Sequence, residues 1–217
     1  MALKFTIVPV TPLQQNCSVI WCSETMQGAV VDPGGDLHLV KAAIDTNKVN
    51  IRQILLTHGH LDHAGGATEL AKSLSVPING PHIEDKFWLD AIERQSQMYG
   101  ISGMVNCTPD RWLTEADTIS VGNELLEIVH CPGHTPGHLV FYHQGSQLAM
   151  VGDVIFEGSI GRTDFPRGNH QQLLDSIANK LWPLGNDMRF IPGHGNMSDF
   201  GRERIANPFV SDTALDR

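Results

Sequence analysis

Thr57-His58-Gly59-His60-Leu61-Asp62-His63 is the stretch on which the reading of this chain turns. It follows the apolar run at residues 51–56 and precedes a helical pattern, so it sits where a strand gives way to a helix. Four imidazole or carboxylate groups fall within six residues. Buried histidines and carboxylates need partners, and a hydrophobic core would not gather four of them in one turn. Imidazole mixed with carboxylate suits zinc, iron or manganese. His58 and His60 can face one way from an extended turn, whereas Asp62 and His63 diverge as the helix begins. One cation would be hard pressed to use all four in tetrahedral geometry; two neighbouring cations could share them.

Further groups of the same kind stand where the same logic looks for them. His134 lies in the turn after the β pattern at Glu124–His130, Asp153 follows the apolar run 148–151 through Gly152, and His194 follows Phe190-Ile191-Pro192-Gly193. Each is just past a strand end with a glycine or proline nearby, which lets backbone come close to a ligand. Strand ends in α/β proteins are also where sites assemble. His58, His60, Asp62, His63, His134, Asp153 and His194 make seven groups, a number that suits a dinuclear centre with Asp153 as the bridge. A structural zinc site would want a closed set of four ligands, usually rich in cysteine. The four cysteines here, Cys17, Cys22, Cys107 and Cys131, have no C-x-x-C spacing.

At 217 residues, 41% hydrophobic and 18% charged, the composition is globular and excludes disorder, collagen-like repeats and coiled coil. No linker or composition break divides residues 1–217, which read as a single catalytic domain with a polar tail after about residue 208. A net charge of −9 argues against nucleic acid or an anionic membrane as partner. The first ten residues lack the apolar run of a signal or anchor, and no later stretch reaches the roughly 18 apolar residues of a spanning helix. With cysteines read as reduced thiols, the expected location is the cytoplasm.

The periodicity is that of an α/β chain. Strands are expected at 5–10, 19–21, 29–31, 51–57, 76–78, 118–121, 124–130, 139–142, 148–151 and 189–191. Helices are expected at 37–44, 67–74, 82–99 and 171–181. The longest of these would place Phe87, Trp88, Ala91, Ile92 and Tyr99 on one face. His38, His82, His143 and His170 read as surface residues, His138 as a structural neighbour of the metal ligands, and Cys131 as a small buried side chain.

H-x-H-x-D-H at 58–63, G-H-T-P-G-H at 133–138, an aspartate at a strand end and a late histidine together resemble the metallo-β-lactamase fold superfamily over nearly the whole chain. Cys131-Pro132-Gly133-His134-Thr135-Pro136-Gly137-His138 and Gly158-Ser159-Ile160-Gly161-Arg162-Thr163-Asp164-Phe165-Pro166 are similar to the type II glyoxalase branch, the hydroxyacylglutathione hydrolases, and to its short single-domain bacterial members. The resemblance implies a four-layer αββα sandwich. It implies two divalent metal ions, zinc first and iron or manganese as alternatives. His58, His60 and His134 would hold one and Asp62, His63 and His194 the other, with Asp153 and a hydroxide bridging them. Asp62 and Asp153 would then serve catalysis directly. The implied activity is hydrolysis of S-(2-hydroxyacyl)glutathione, typically S-D-lactoylglutathione, to D-lactate and glutathione in methylglyoxal detoxification.

Arg162, nine residues beyond Asp153, stands where the larger members carry a glutathione-contacting lysine. It is weighed as an anion-binding residue against a solvated surface arginine. Asp32, in Asp32-Pro33-Gly34-Gly35, is weighed as the acceptor that orients a ligand histidine against a turn-forming Asp-Pro. The chain also departs from the larger members. It ends about twenty residues after His194, without their C-terminal glutathione-binding helical domain, and Asp164 and Asn196 replace two of their tyrosines. A more open groove and broader thioester selection follow. The competing activities are a glutathione persulfide dioxygenase with a single iron on His58, His134 and Asp153, and a metallo-hydrolase of broader specificity. Oligomeric state is not legible in the sequence.

Overall fold

The computed structural model describes residues 2–216; Met1 and Arg217, the ends of the span assigned to the domain, lie outside the described residues. Two sheets stack face to face, and each carries helices on its outer side. The first sheet joins β1 (Leu3–Val10), β2 (Gln15–Cys22), β3 (Gln27–Val31), β4 (Asn50–Leu55) and β5 (Ile78–Asn79) in sequential order. β1, β2 and β3 pair antiparallel, but β3, β4 and β5 run parallel because helices make the crossovers. Those helices are α1 (Leu37–Asn47), α2 (Leu61–Ala64) and α3 (Ala67–Leu74). In α1, Val40 and Ile44 are one turn apart and both buried, and the helix stops at Lys48 in the left-handed region, φ 54°. β2 is buried along nearly all its length, as a strand covered on both faces must be.

After α4 (Lys86–Leu89) and α5 (Ile92–Tyr99) the chain builds the second sheet. Its strands are β6 (Thr118–Val121), β7 (Glu124–His130), β8 (Leu139–His143), β9 (Leu148–Gly152) and, beyond a short hairpin of β10 (Ile155–Phe156) and β11 (Ser159–Ile160), β12 (Arg189–Pro192) and β13 (Ser198–Asp199). The spatial order is β13-β12-β9-β8-β7-β6, antiparallel except for the parallel pair β9–β12. α6 (His170–Ser176) and α7 (Phe200–Ala206) cover its outer face, each capped at its N-terminus by a side chain, Asn169 and Asp199.

Three apolar layers result. Ile20, Val31 and Leu55 of the first sheet meet Leu126, Phe141, Met150 and Ile191 of the second in the central layer. Val40, Leu70 and Ile92 belong to the layer outside the first sheet, and Leu173, Trp182 and Phe200 to the one outside the second. This is the αββα sandwich.

Some local expectations change. The stretch at residues 82–99 is not one helix but a turn at Ile83–Asp85 followed by α4 and α5, broken at Asp90 and Ala91. The Gln95 amide donates to the Trp88 carbonyl across the break, at 3.0 Å, so its buried backbone is satisfied without helical continuity. Trp88 and Ile92 are buried while Tyr99 is 58% exposed, so the expected shared face does not form. The helix at 171–181 begins at His170 and passes into a π-helical turn at Ile177–Leu181. The segment beyond residue 208 is more than a polar tail: Val210 is fully buried in the outer layer of the second sheet, with Leu215 packed against it. His143 is not on the surface. It is buried beside Glu124 at 3.1 Å, a pairing that offsets the cost of burying both.

Candidate metal centre

Parallel pairing decides where the site forms. β3 and β4 run side by side with Val31 opposite Leu55, and β9 and β12 with Gly152 opposite Pro192. Four strands therefore release their chains at one edge of the sandwich. Asp32 leaves β3, Thr57 to His63 leave β4, Asp153 leaves β9, and His194 leaves β12. The loop between β7 and β8 adds His134. Gly152 adopts φ 49°, and a Cβ there would lie 2.6 Å from Thr57 Oγ1 and 2.7 Å from the His138 ring, so glycine is needed for the loops to close together.

The seven side chains singled out by spacing come together as two adjoining groups. In the first, His60 Nδ1 lies 3.1 Å from His58 Nε2 and 3.0 Å from His134 Nε2. In the second, Asp62 Oδ2 lies 3.2 Å from His194 Nε2 and 3.8 Å from His63 Nε2. Asp153 stands between them, Oδ2 at 3.5 Å from His134 Nε2 and Oδ1 at 3.3 Å from His63 Nε2. All are buried except His194, which is partly open to solvent.

Which nitrogen bears the proton follows from the far side of each ring. His134 Nδ1 lies 2.7 Å from the Arg162 carbonyl and His194 Nδ1 lies 3.1 Å from the Leu13 carbonyl. A carbonyl only accepts, so both Nδ1 atoms donate. His63 Nδ1 faces Asp32 Oδ2 at 3.0 Å and donates likewise. Thr57 Oγ1 gives its proton to Asp32 at 2.6 Å, which leaves its oxygen to accept from His58 Nδ1 at 3.0 Å. Each of these four rings, when neutral, then presents the lone pair of Nε2 to the cluster. This tautomer is the one a metal-ligating histidine requires, fixed here by its outer partner. His63 Nε2 and Asp153 Oδ1 are buried and, apart from their 3.3 Å approach to each other, have no hydrogen-bond partner among the described residues, as befits ligand atoms aimed at a cation. The donor set fits two divalent cations.

The electrostatics are divided along the same line. Burial, reinforced by the surrounding imidazoles, holds His58 and His60 well below the ordinary histidine value, and burial lowers His134 despite Asp153. The first group is thus three neutral rings. Burial also opposes charge on His63, but Asp153 and Asp62 outweigh it and hold that ring well above the ordinary value. Asp153 is the converse: burial pushes its carboxyl up, and His63, His134 and His194 together hold it far below the usual range. A proton on His63 and a cation in the second group would therefore compete for the same carboxylates.

Of the two readings of Asp32, the structure shows the acceptor: it accepts from His63 Nδ1 and also from the Thr57 amide at 2.7 Å. Arg162 lies at the mouth, its guanidinium held bidentately by Asp164 at 2.7 and 2.6 Å and stacked 4.3 Å above the Phe165 ring. His138 is fully buried, stacks on His58 at 4.6 Å and accepts the Asp153 amide at 3.1 Å. Cys131 is buried in the outer core layer, away from the ligand set.

Three further neighbours complete the surroundings; Trp88 and Phe165 belong to features the sequence singles out, and Asp85 carries no such signal. Trp88 and Phe165 set their ring edges against His60, at 4.5 and 4.9 Å between centroids. Asp85, inside the expected helix, is buried beneath the two histidine loops; burial raises its carboxyl to about 6 although Thr135, Gly59 and Gly137 all donate to it.

Comparison with known proteins agrees with this geometry. The chain is 42% identical over 210 residues to a hydroxyacylglutathione hydrolase, GloC, of Haemophilus influenzae, covering 96% of this chain and 99% of that one. Among solved structures it resembles the BLEG-1 B3 metallo-beta-lactamase, with TM-score 0.88, 32% identity, and 95% of this chain and 99% of that one covered. It also resembles TTHA1623 in a di-iron-bound form, with TM-score 0.85, 30% identity, and 94% and 100% covered. The family model of the metallo-beta-lactamase superfamily matches residues 10–194, which run from the end of β1 to the last histidine of the cluster. Fold, strand-end cluster and sequence thus meet in one assignment: the chain belongs to the metallo-beta-lactamase superfamily.

Proposed function

We propose that this metallo-hydrolase cleaves S-(2-hydroxyacyl)glutathione thioesters, typically S-D-lactoylglutathione, releasing D-lactate and glutathione in methylglyoxal detoxification. The observation that carries the reading is the pair of adjoining donor groups shared by Asp153, with four of the five histidines locked in the Nε2-ligating tautomer. The 42% identity to a hydroxyacylglutathione hydrolase along nearly the whole of both chains supports the substrate class.

His58, His60 and His134 would hold one divalent ion and Asp62, His63 and His194 the other, with Asp153 common to both. Zinc is the first choice, and iron or manganese suits the same donors. Two such ions supply Lewis acidity toward the acyl oxygen and a water acidified to a pKa of about 7. The protein's own groups supply the rest. Asp62 and Asp153 hold negative charge at the centre, and their anchored histidine neighbours keep them in place. Trp88 and Phe165 wall off the His60 side with apolar rings and limit access of bulk water there. Arg162 offers a cation at the mouth for a substrate carboxylate, in exchange for Asp164.

A thioester suits this arrangement because its leaving thiolate has a parent pKa of about 8.5, by analogy with cysteine, and needs little help from an acid. Protein thiols are not placed to compete as nucleophiles: burial pushes Cys17, Cys107 and Cys131 upward. Cys22, which burial raises less than hydrogen bonds around Thr25 lower it, lies at the far end of β2 from Gln15, the residue that bridges to His194. Four free thiols also fit a reducing cytoplasm.

The test couples metal quantification on protein purified without chelator to thiol release from S-D-lactoylglutathione, with glutathione persulfide and a β-lactam as competing substrates. Close to two ions per chain with glutathione release is expected, and Asp153→Ala abolishes turnover. One iron per chain with oxygen consumption on the persulfide, or full turnover by Asp153→Ala, overturns the proposal.

A further inference from the structure

The two loops that supply the first donor group come from different sheets, and besides the stacking of His138 on His58 they are joined by hydrogen bonds at two levels. Thr57 O accepts the Leu139 amide at 2.8 Å at their bases. Nearer the histidines the connection is a side chain, Asp85, at the end of the short turn Ile83–Asp85. Its Oδ2 accepts from the Gly59 amide, between His58 and His60, at 2.9 Å and from Thr135 Oγ1, next to His134, at 2.8 Å. Its Oδ1 accepts from the Gly137 amide at 2.6 Å. The side chain has no solvent exposure, and a Cβ on Gly137 would lie 2.7 Å from its carboxyl carbon, so the loop is fitted to it.

The turn is itself held from outside. Arg167 pairs with the Glu84 carboxylate, donates to the Glu84 carbonyl at 3.3 Å, and stacks on Phe87 at 5.0 Å. The second donor group is secured by different contacts. His63 leans on Asp32, and the Gly66 amide behind α2 donates to the Pro33 carbonyl at 2.9 Å, both on the loop after β3.

We infer that Asp85 is a positioning residue: it sets the separation of His60 from His134 and so tunes the affinity of the His58–His60–His134 site for its cation, without acting on the Asp62–His63–His194 site. This inference rests on the reading of the cluster as two cation sites. Carboxylate is suited to the post because three donors converge on it and it brings none of its own. Asp85→Asn preserves the shape, but its NH2 must face either the Gly137 amide or the Gly59 and Thr135 pair, donor against donor. Partners of this kind typically change metal affinity by roughly 10–100-fold when altered.

The experiment titrates metal-free wild type, Asp85→Asn and Thr135→Val with zinc against a chromophoric chelator, and with cobalt(II) followed by visible absorption. Unfolding of the metal-free forms is recorded alongside. In wild type two binding steps are expected. In Asp85→Asn one step weakens by roughly 10–100-fold and the other stays in place. Thr135→Val, which removes one of the three donors, weakens the same step by less. Equal weakening of both steps, or none in either variant, overturns the inference while leaving two cation sites standing. Should Asp85→Asn fail to fold, an unaltered titration of Thr135→Val overturns it on its own. Uptake of fewer than two cations by wild type removes the reading beneath it and the inference together.

Discussion

Asp32 is not counted among the seven donors, yet its loss should be among the most damaging single changes at this edge of the fold. It is 3% exposed and accepts three hydrogen bonds, from the Thr57 amide at 2.7 Å, Thr57 Oγ1 at 2.6 Å and His63 Nδ1 at 3.0 Å. In Asp32→Ala the Thr57 hydroxyl can turn, but the amide and the imidazole N–H cannot. Two buried donors left without acceptors cost about 2–6 kcal/mol. The backbone adds to this, because Asp32 is at φ 52°, where alanine is less favoured than aspartate or asparagine by about 1 kcal/mol. The sum, roughly 3–7 kcal/mol, is comparable with the whole stability of many domains. Asp32→Asn tolerates the left-handed backbone and keeps one acceptor, so it should fall midway. Guanidinium unfolding of the metal-free proteins, read with unchanged m-values, should rank wild type above Asp32→Asn above Asp32→Ala. If Asp32→Ala lies within about 1 kcal/mol of wild type, these bonds do not hold the loop and the account of His63 fails with them.

Other perturbations separate packing from chemistry. Phe141, with no exposed surface in the layer between the sheets, should cost about 3–5 kcal/mol as Phe141→Ala by chemical denaturation, while metal stoichiometry is unchanged. Arg162→Ala should leave the unfolding midpoint where it is and raise KM for a glutathione thioester more than it lowers kcat, because the carbonyl that anchors His134 remains; an equal loss in kcat alone would count against anion binding at the mouth. Asp85 gives a pH signature. Its carboxyl is raised from 3.8 to about 6, so its stabilising contribution is complete below pH 3.8 and is lost as pH rises through about 6. The loss amounts to about 3 kcal/mol. In the metal-free proteins, thermal unfolding of Asp85→Asn should therefore depend less steeply on pH than that of wild type over this window, and parallel profiles would refute the assignment.

The sequence was most legible where chemistry and chain direction coincide. His58, His60, Asp62 and His63 announce themselves by density, and Asp153 and His194 by following apolar runs that end in glycine or proline; all converge in space because parallel pairs release their chains at one edge. Asp85 was hidden by its setting. An acid within Ile83-Glu84-Asp85-Lys86 looks like solvated helix surface, and only the break at Asp90 and Ala91, bridged by the Gln95 amide, shows that the segment folds over the site instead. The burial of His143 is hidden for a related reason. Its partner, Glu124, is distant in sequence, and a buried contact between two strands leaves no periodic trace. Phe209 and Val210 are an isolated apolar pair in polar surroundings, too little for a pattern, but Val210 finds a place beside the helices of the second sheet.

The anchors of the histidines divide into two kinds with different consequences for specificity. His63 and His58 depend on side chains, Asp32 and Thr57, so substitution there changes ligand orientation directly. His134 and His194 depend on backbone carbonyls, those of Arg162 and Leu13. A carbonyl is supplied by any residue at its position, so side-chain identity at 162 and 13 is free of that duty. Both of those side chains are exposed, on the loops that approach the centre from opposite sheets. The geometry that holds the donors is therefore separable from the groups that would meet the substrate. Replacing Arg162 and Leu13 should alter which thioester or anion is accepted while His134 and His194 keep their tautomers, so that metal content and substrate preference vary independently across such a series. Coupled loss of both would mean that the loops owe their path to those side chains and not to the carbonyls.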